Sequence, residues 1–487
     1  MNKQNRTGQF TSYDFLWLSL ALCFLCALSL LLSIQPHDYW FYVRIGKDIL
    51  QTGSIPRVDT ISFSRAGRPI YYQPWLSAVI FWLAYKTGGA ILTFLLRSLS
   101  IGLAYGLIWL MTRAAGAGPR LTTVLVIVLG LSSGNNWSMR PQILVYPLFV
   151  LIFWNLWRWQ QNKDRSVWLL AVSSFLWANL HGSFILLFLL GGAALLFGKG
   201  DRKKLVVWLV VALITSLINP RGVEVWRYVF DLLRSPSDQL YSVEWLPPVN
   251  QGWQMNIFFA WLLVFIPLVT FSSHRFSLLE WIWFLGFGWL AFSGVRYVIW
   301  FMFILTVYTA AILAEWDQRV LDQPVETSAP AVNILLGGVF ILIPVILLPG
   351  VREAWWQKAP PVYAINTTPD AATEWLAAHP ELPGPLFGDY AFSGYLSFML
   401  PSRPPWIDSR FNAFPPEQWE EYQTITSAAP DWQTLLDHEN INLLMLSVEG
   451  QPRLLQAVQI STVWCEQYRD SYAVILSRWT SGISCYR

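Results

Sequence analysis

Charge is what this chain has least of. Asp, Glu, Lys and Arg make up only 13% of its 487 residues, against about 25% in an ordinary soluble domain, which excludes a water-facing globule of this length. The 33 Lys and Arg nearly balance the 30 Asp and Glu, for a formal net charge of +3. With no basic run interleaved with aromatics, nothing points to nucleic acid. Cysteine is also sparse. Cys23 and Cys26 fall inside the first apolar run and read as small apolar filler, whereas Cys465 and Cys485 lie in the C-terminal tail and can pair if that tail is extracytoplasmic. Neither His37 nor His181 has a carboxylate or cysteine at ligand spacing, so hydrogen-bonded histidines are expected rather than zinc. Internal repeats, heptads and low-complexity stretches are missing as well. Transporters usually have repeated halves or matched Gly/Pro-broken helices, and neither is found here.

What the chain does have is apolar surface: 54% hydrophobic residues, mean hydropathy +0.41, 29 Trp and 19 Tyr. Many of these aromatics stand where apolar runs end, as interfacial belts do. Residues 15–34 carry no charge and are long enough to cross roughly 30 Å of hydrocarbon. Lys3 and Arg6 precede them, and the segment is too long for a cleaved leader. Further apolar runs fall at 92–112, 121–134, 142–157, 167–180, 183–197, 205–218, 254–271, 278–293, 297–314 and 333–349. Several are short for a full crossing, which is tolerable where helix ends face a wet cavity. Lys and Arg collect in alternate short loops, at Lys3 and Arg6, Arg113 and Arg120, Arg158, Lys163 and Arg165, Lys199 to Lys204, and Arg275. Placing those loops in the cytoplasm gives about eleven spans, a cytoplasmic N-terminus and an outer C-terminus. Segment 75–85 would invert this order as a span, so it is expected to lie along the interface.

On that topology the unusual polar clusters share the outer face: His37-Asp38, Asp59, Gln73-Pro74-Trp75, Asn135-Asn136 with Arg140-Pro141-Gln142, Asn179 to Gly182, Asn219 to Gly222, Glu244-Trp245 and Arg296. One-sided clustering is what a site open to one side requires. Beyond residue 350 the composition turns mixed and Pro-jointed. Strands are expected at 441–448 and 472–479 and helices at 416–425, 431–439 and 452–458. The expected fold class is thus a polytopic α-helical membrane protein of residues 1–350, with a first outer loop at 36–89, followed by an extracytoplasmic α/β domain at 351–487.

The residue types suit transfer of a group carried on a membrane lipid. A carboxylate at the membrane edge can take a proton from an acceptor hydroxyl, and guanidinium groups suit a departing phosphate. Asp38 is the candidate base and Asp59 the second catalytic candidate; His37, Arg44, Arg97, Arg140, His181, Arg221, Glu244 and Arg296 are the candidate substrate-binding residues. Several have a structural alternative, and the chain as a whole has two other readings, a transporter or flippase of lipid-linked glycans and a non-catalytic glycolipid-binding scaffold. Asp38 can cap a helix beginning at Tyr39. Asp59 can form an Asx turn after Pro56. Arg140 and Arg296 can be snorkelling anchors, Glu244 can be loop packing, and Asp408 and Arg410 can form a local salt bridge.

The stretch from His37 through Gly46, then Gly53 to Asp59, resembles the first outer loop of GT-C fold glycosyltransferases, as do Gln73-Pro74-Trp75-Leu76, Gly88-Gly89 and Arg97. The class includes protein O-mannosyltransferases, lipid A aminoarabinose transferases and oligosaccharyltransferases. Uncharacterised bacterial members of the class resemble the chain further at Arg140-Pro141-Gln142, Trp177 to Gly182, Asn219-Pro220, Glu244-Trp245, Gly388-Asp389-Tyr390 and Ile407 to Arg410. The resemblance implies a polyprenyl-phosphate sugar donor, an acceptor that is lipid, glycan or protein, contact with membrane lipids, residence in a bacterial cytoplasmic membrane, and an acidic base that falls on Asp38. Many members place an acidic pair in this loop, which can hold a divalent cation. Here the neighbour of Asp38 is His37, so the resemblance leaves a divalent cation open without requiring one.

Overall fold

A computed structural model describes residues 10–163, 166–321, 329–364 and 368–479, the side chains of 317–321 excepted. Lys3, Arg6, Arg165 and Cys485 lie outside the described residues, and with them part of the orientation argument and the Cys465–Cys485 pairing. The chain divides into two compact units, one of Met1–Leu32, Gly88–Arg227 and Val243–Pro360, the other of Ser33–Thr87, Tyr228–Ser242 and Pro361–Arg487.

The first unit is helical. Among the described residues, five helices are long and apolar enough to cross a membrane: Ser12–Leu31, Trp75–Ala114, Trp253–Phe271, Val295–Trp316 and Pro330–Leu347. Leu169–Leu180, Gly182–Phe197 and Leu278–Ser293 are apolar but shorter. Pro119–Ser133, Tyr146–Gln160 and Arg202–Ser216, at 15 residues each, fall below the ~20 residues a perpendicular crossing needs. Apolar runs and helices therefore coincide, while length and composition qualify fewer crossings than the charge pattern suggests. The helix Ser12–Leu31 starts where Thr11 and Asp14 form a capping box. Arg113 Nε donates to Asp14 Oδ1 at 2.7 Å, tying the end of Trp75–Ala114 to that start. The helix Val298–Leu321 is apolar from Val298 to Ala314, and those residues are mostly buried, Trp300 and Phe303 packing on Tyr146 and Phe149. By contrast Pro330–Leu342 leaves Leu335 and Leu342 largely exposed, as a lipid-facing helix does.

The helix Trp75–Ala114 is not continuous. Gly88 and Gly89 leave helical geometry, Gly89 at φ 54, so residues 75–87 form a separate helix that belongs to the second unit.

The second unit is built on a four-stranded sheet in the order β1 (Leu386–Gly388), β2 (Leu443–Ser447), β4 (Ala473–Arg478), β3 (Trp464–Arg469). β1 runs parallel to β2, and the other pairings are antiparallel. Alternate residues face opposite sides. Leu444, Leu446, Val474 and Leu476 join Trp406, Trp419, Tyr422, Leu436 and Leu454 in one core. Leu443, Met445, Ala473 and Ile475 join Ala372, Leu376, Phe392 and Leu396 in the other. Helices cover both faces, as the apolar run 443–446 requires. The expected strands and the three expected helices of this region are present, at Pro416–Thr426, Trp432–His438 and Pro452–Ile460. Segment Tyr228–Ser242 joins this unit through Ser237 Oγ, which donates to the Phe414 carbonyl at 2.8 Å, and Tyr241 stacked on Trp419.

Candidate functional site

In the second unit the chain turns at Pro36 into the helix Asp38–Thr52. The cap of this helix is His37, not Asp38: the His37 Nδ1 accepts the Asp38 backbone N–H at 2.9 Å. Asp38 is the first helical residue, where the helix dipole favours a negative charge. Its Oδ1 accepts a hydrogen bond from Ser409 Oγ at 2.8 Å, and its Oδ2 lies 3.7 Å from His37 Nδ1. With 21% of its side chain exposed, the carboxylate is reachable yet partly desolvated. Tyr390 lies nearby; burial first, then Asp389 and Asp38, push its hydroxyl pKa up.

The helix is held firmly. Trp40 packs among Tyr85, Tyr363, Tyr395 and Phe398. At Gly46 a Cβ would stand 2.0 Å from the Ala78 carbonyl oxygen, and at Gly394 one would stand 2.0 Å from that of His37. Both contacts are backbone on backbone, and only glycine fits them.

Asp59 is in different circumstances. It is 3% exposed. Its Oδ1 accepts the Ile61 N–H at 2.8 Å, forming the expected Asx-type turn, and its Oδ2 accepts from Ser62 Oγ at 3.0 Å. Arg410 Nη2 then donates to Asp59 Oδ2 at 2.9 Å, and Nη1 to the Tyr72 hydroxyl at 3.1 Å. Arg410 also donates through Nε to Asp408 Oδ1 at 2.8 Å, with a second, shorter contact from Nη2 to Asp408 Oδ2. Burial works against the Arg410 charge, but Asp408, ahead of Tyr72 and Asp59, more than offsets it and holds the guanidinium pKa above its ordinary range. The pair Asp408 and Arg410 is thus a local ion pair extended over 351 positions to Asp59. Arg44 spends its donors on Asp48, at 2.8 Å, and on the Ser397 carbonyl, also at 2.8 Å.

In the first unit three of the polar clusters converge. A pocket of about 170 Å³ is lined by Asn135, Asn136, Ser138, Arg140, Gln142, Glu244, Val295 and Arg296. Arg140 pairs with Glu244, the Arg296 guanidinium lies 4.6 Å over the Trp245 ring, and Gln142 Nε2 donates to the Arg296 carbonyl at 3.5 Å. His181, in the turn after Leu180, accepts the Ser183 N–H on Nδ1 at 3.1 Å. Desolvation and then Arg296 push its pKa down to about 3, so the ring is neutral at pH 7. Arg221 pairs with Glu224 at 3.1 Å, and its backbone N–H is held by Asn219 Oδ1; it does not line the pocket. Arg97 is buried, donating to the carbonyls of Ser29 and Leu32 and packing on Phe94. Its donors serve the C-terminal end of Ser12–Leu31. Among the described residues no three His, Cys, Asp or Glu side chains gather as a metal-holding group.

Ser409, Tyr72 and Tyr390 were not singled out from the sequence. Tyr390 lies in Gly388-Asp389-Tyr390 and Ser409 between Ile407 and Arg410, but nothing local to Ser409 signals a partner 371 positions away.

The fold is shared with solved structures of an oligosaccharyltransferase and an arabinofuranosyltransferase. The chain is similar to the oligosaccharyltransferase AglB of Archaeoglobus fulgidus, solved with an inhibitory peptide and a dolichol-phosphate. That match has TM-score 0.60 at 11% identity and covers 96% of this chain and 74% of that one. An Archaeoglobus fulgidus oligosaccharyltransferase tethered to an acceptor peptide matches with TM-score 0.59 at 12% identity, over the same shares. The arabinofuranosyltransferase AftD from Mycobacteria matches with TM-score 0.58 at 13% identity, over 95% of this chain but only 41% of its own length. At such identities it is the fold that is shared. No protein-family model matches the sequence, and no curated protein sequence matches it.

Proposed function

We propose that this protein is an integral membrane glycosyltransferase that moves a sugar from a polyprenyl-phosphate donor to an acceptor on the outer face of a bacterial cytoplasmic membrane. The observation that carries the proposal is the GT-C fold with Asp38, partly exposed, at the head of the helix that follows the first apolar span. AglB was solved with a dolichol-phosphate, a lipid of the class proposed here as the donor's carrier.

In this mechanism Asp38 takes the proton of an acceptor hydroxyl. The oxygen forms a bond to the anomeric carbon while the bond from that carbon to the phosphate oxygen breaks, the electron pair leaving with the phosphate. In-line attack inverts the anomeric centre. In the first unit Arg140 and Arg296 border the polar pocket, where guanidinium donors suit phosphate charge and the amides of Asn135, Asn136 and Gln142 suit sugar hydroxyls. His181, neutral at pH 7, can exchange hydrogen bonds but supplies no charge. Asp59, with its oxygens committed to Arg410, Ile61 and Ser62, is given a structural role in place of a chemical one. Arg44, Arg97 and Arg221 likewise serve local structure. The first outer loop, the C-terminal α/β domain and the C-terminus lie outside the membrane and the N-terminus lies in the cytoplasm. If a divalent cation takes part, Asp38 is the carboxylate placed to meet it.

The test is release of free polyprenyl phosphate from a panel of polyprenyl-phosphate sugars by the purified full chain beside Asp38→Asn. A base of this kind contributes about 10²- to 10⁴-fold, and a loss of that size is expected. Equal activity in the two proteins would remove Asp38 as base. Absence of release from every donor would remove the transferase.

A further inference from the structure

We propose that Ser409 is a positioning residue for Asp38, and that the buried Asp59–Arg410–Asp408 network holds Ser409 in place. This rests on Asp38 acting as the base.

A carboxylate at the first position of a helix has no neighbouring turn to fix its rotamer, and a base that swings loses the geometry that proton transfer demands. Here the Ser409 hydroxyl pins one oxygen, donating to Asp38 Oδ1 at 2.8 Å. Ser409 could not do this from a mobile loop. It sits between Asp408 and Arg410, and the Arg410 backbone N–H is tied to Asp408 Oδ1 at 2.9 Å. The Arg410 side chain is anchored in turn on Asp59 and Tyr72. Its guanidinium also lies 5.1 Å from the ring centre of Phe41, three residues beyond Asp38 on the same helix. One buried cation therefore grips the helix that presents the base and the segment that presents its hydrogen-bond donor. The Gly394 contact on the His37 carbonyl fixes the approach from a second direction. A purely structural network would not require a hydroxyl at 409; its anchors are Asp59, Asp408, Arg410 and Tyr72. Ser409 touches the proposed base directly.

The experiment compares Ser409→Ala, Ser409→Val and Ser409→Thr in the full chain; the last two have the same shape and differ in the hydroxyl. With any polyprenyl-phosphate sugar that the wild type consumes, Ala and Val should lower kcat about tenfold or more with KM for the donor unchanged, and Thr should restore it. Independently of any donor, water-soluble carbodiimide should modify Asp38 at least twofold faster in the Ala and Val variants than in wild type or Thr, read by peptide mass spectrometry on folded protein. Unchanged modification of Asp38, or a kcat loss that Thr does not rescue, overturns the proposal. An active Asp38→Asn overturns the base and this proposal with it. An inactive Asp38→Asn beside an unaltered Ser409→Val overturns the positioning role alone.

Discussion

Arg410 and Arg296 are the same side chain in opposite conditions. Arg410, in the second unit, is enclosed, and two carboxylates, a tyrosine hydroxyl and two aromatic rings surround its guanidinium. Arg296, in the first unit, borders a polar pocket and rests on one indole. A cation saturated by fixed oxygens can shape a fold but has nothing left to offer a ligand; a cation beside a cavity has the reverse properties. The same contrast separates Asp59, dry and paired, from Asp38, partly exposed and touched by Ser409. Charge in a chain this poor in it is divided between groups that hold the fold and groups left open to a ligand.

The contrast predicts that removing the two arginines breaks different properties. Arg410→Leu leaves Asp59 and Asp408 buried without their cation, and breaking a buried pair in this way costs about 3–5 kcal/mol. Thermal unfolding of the detergent-solubilised chain should show a Tm lower by many degrees; a Tm close to wild type would mean that the network is solvated. Arg296→Ala should leave Tm where it is. A charge-assisted hydrogen bond to phosphate contributes about 1.5–3 kcal/mol, so donor KM should rise roughly tenfold to a hundredfold. An unchanged KM would mean that the pocket does not take the phosphate.

Much of this was legible in the sequence. Apolar length gave the helices of the first unit to within a few residues, because burial or lipid contact on most faces leaves long runs without charge. Short apolar runs gave two strands of the second unit, and three of its helices were legible beside them. The other two strands were not visible for physical reasons. β1 is three residues long, and β3 runs Trp464-Cys465-Glu466-Gln467-Tyr468-Arg469 at the sheet edge, with an irregularity between Glu466 and Tyr468 that spoils its period. The helix Pro236–Tyr241 went unread although Ser235, Pro236 and Asp238 are a helix-start signature. At the candidate site, Asp38 was singled out by its place after the first span, and the clusters that line the pocket by their composition. That Asp408 and Arg410 reach Asp59, and that Ser409 reaches Asp38, depends on contacts between segments some 350 positions apart, which no local pattern encodes.

Backbone contact sharpens the comparison from the other side. The second unit holds its site helix partly by close approach at Gly394, where an added methyl would collide with the His37 carbonyl. Overpacking of this kind costs about 1–3 kcal/mol. Gly394→Ala should lower Tm and, by displacing His37 and Asp38, lower turnover more than it changes donor KM. A variant with wild-type turnover would show that the head of the helix can move without consequence.

The smallest effect concerns a third carboxylate of the second unit. Asp389 is 7% exposed. Its Oδ1 accepts the Ala391 N–H at 2.9 Å as a helix cap, but among the described residues no ion pair holds it as Arg410 holds Asp59. The side chains that respond to its charge are the hydroxyls of Tyr390 and Tyr422. Burial raises the Asp389 pKa, and the Ala391 hydrogen bond only partly offsets it. The folded chain therefore binds this proton more tightly than the unfolded chain does. That contribution to stability is fully present below the ordinary carboxylate range and is lost as pH rises through the raised value. Asp389→Asn keeps an oxygen to cap Ala391 and removes the charge. Its Tm relative to wild type should accordingly improve between pH 4 and pH 7, by less than any change above. A difference that does not vary with pH would show that a cation offsets the Asp389 charge as Arg410 offsets that of Asp59, and would erase the distinction between the two carboxylates.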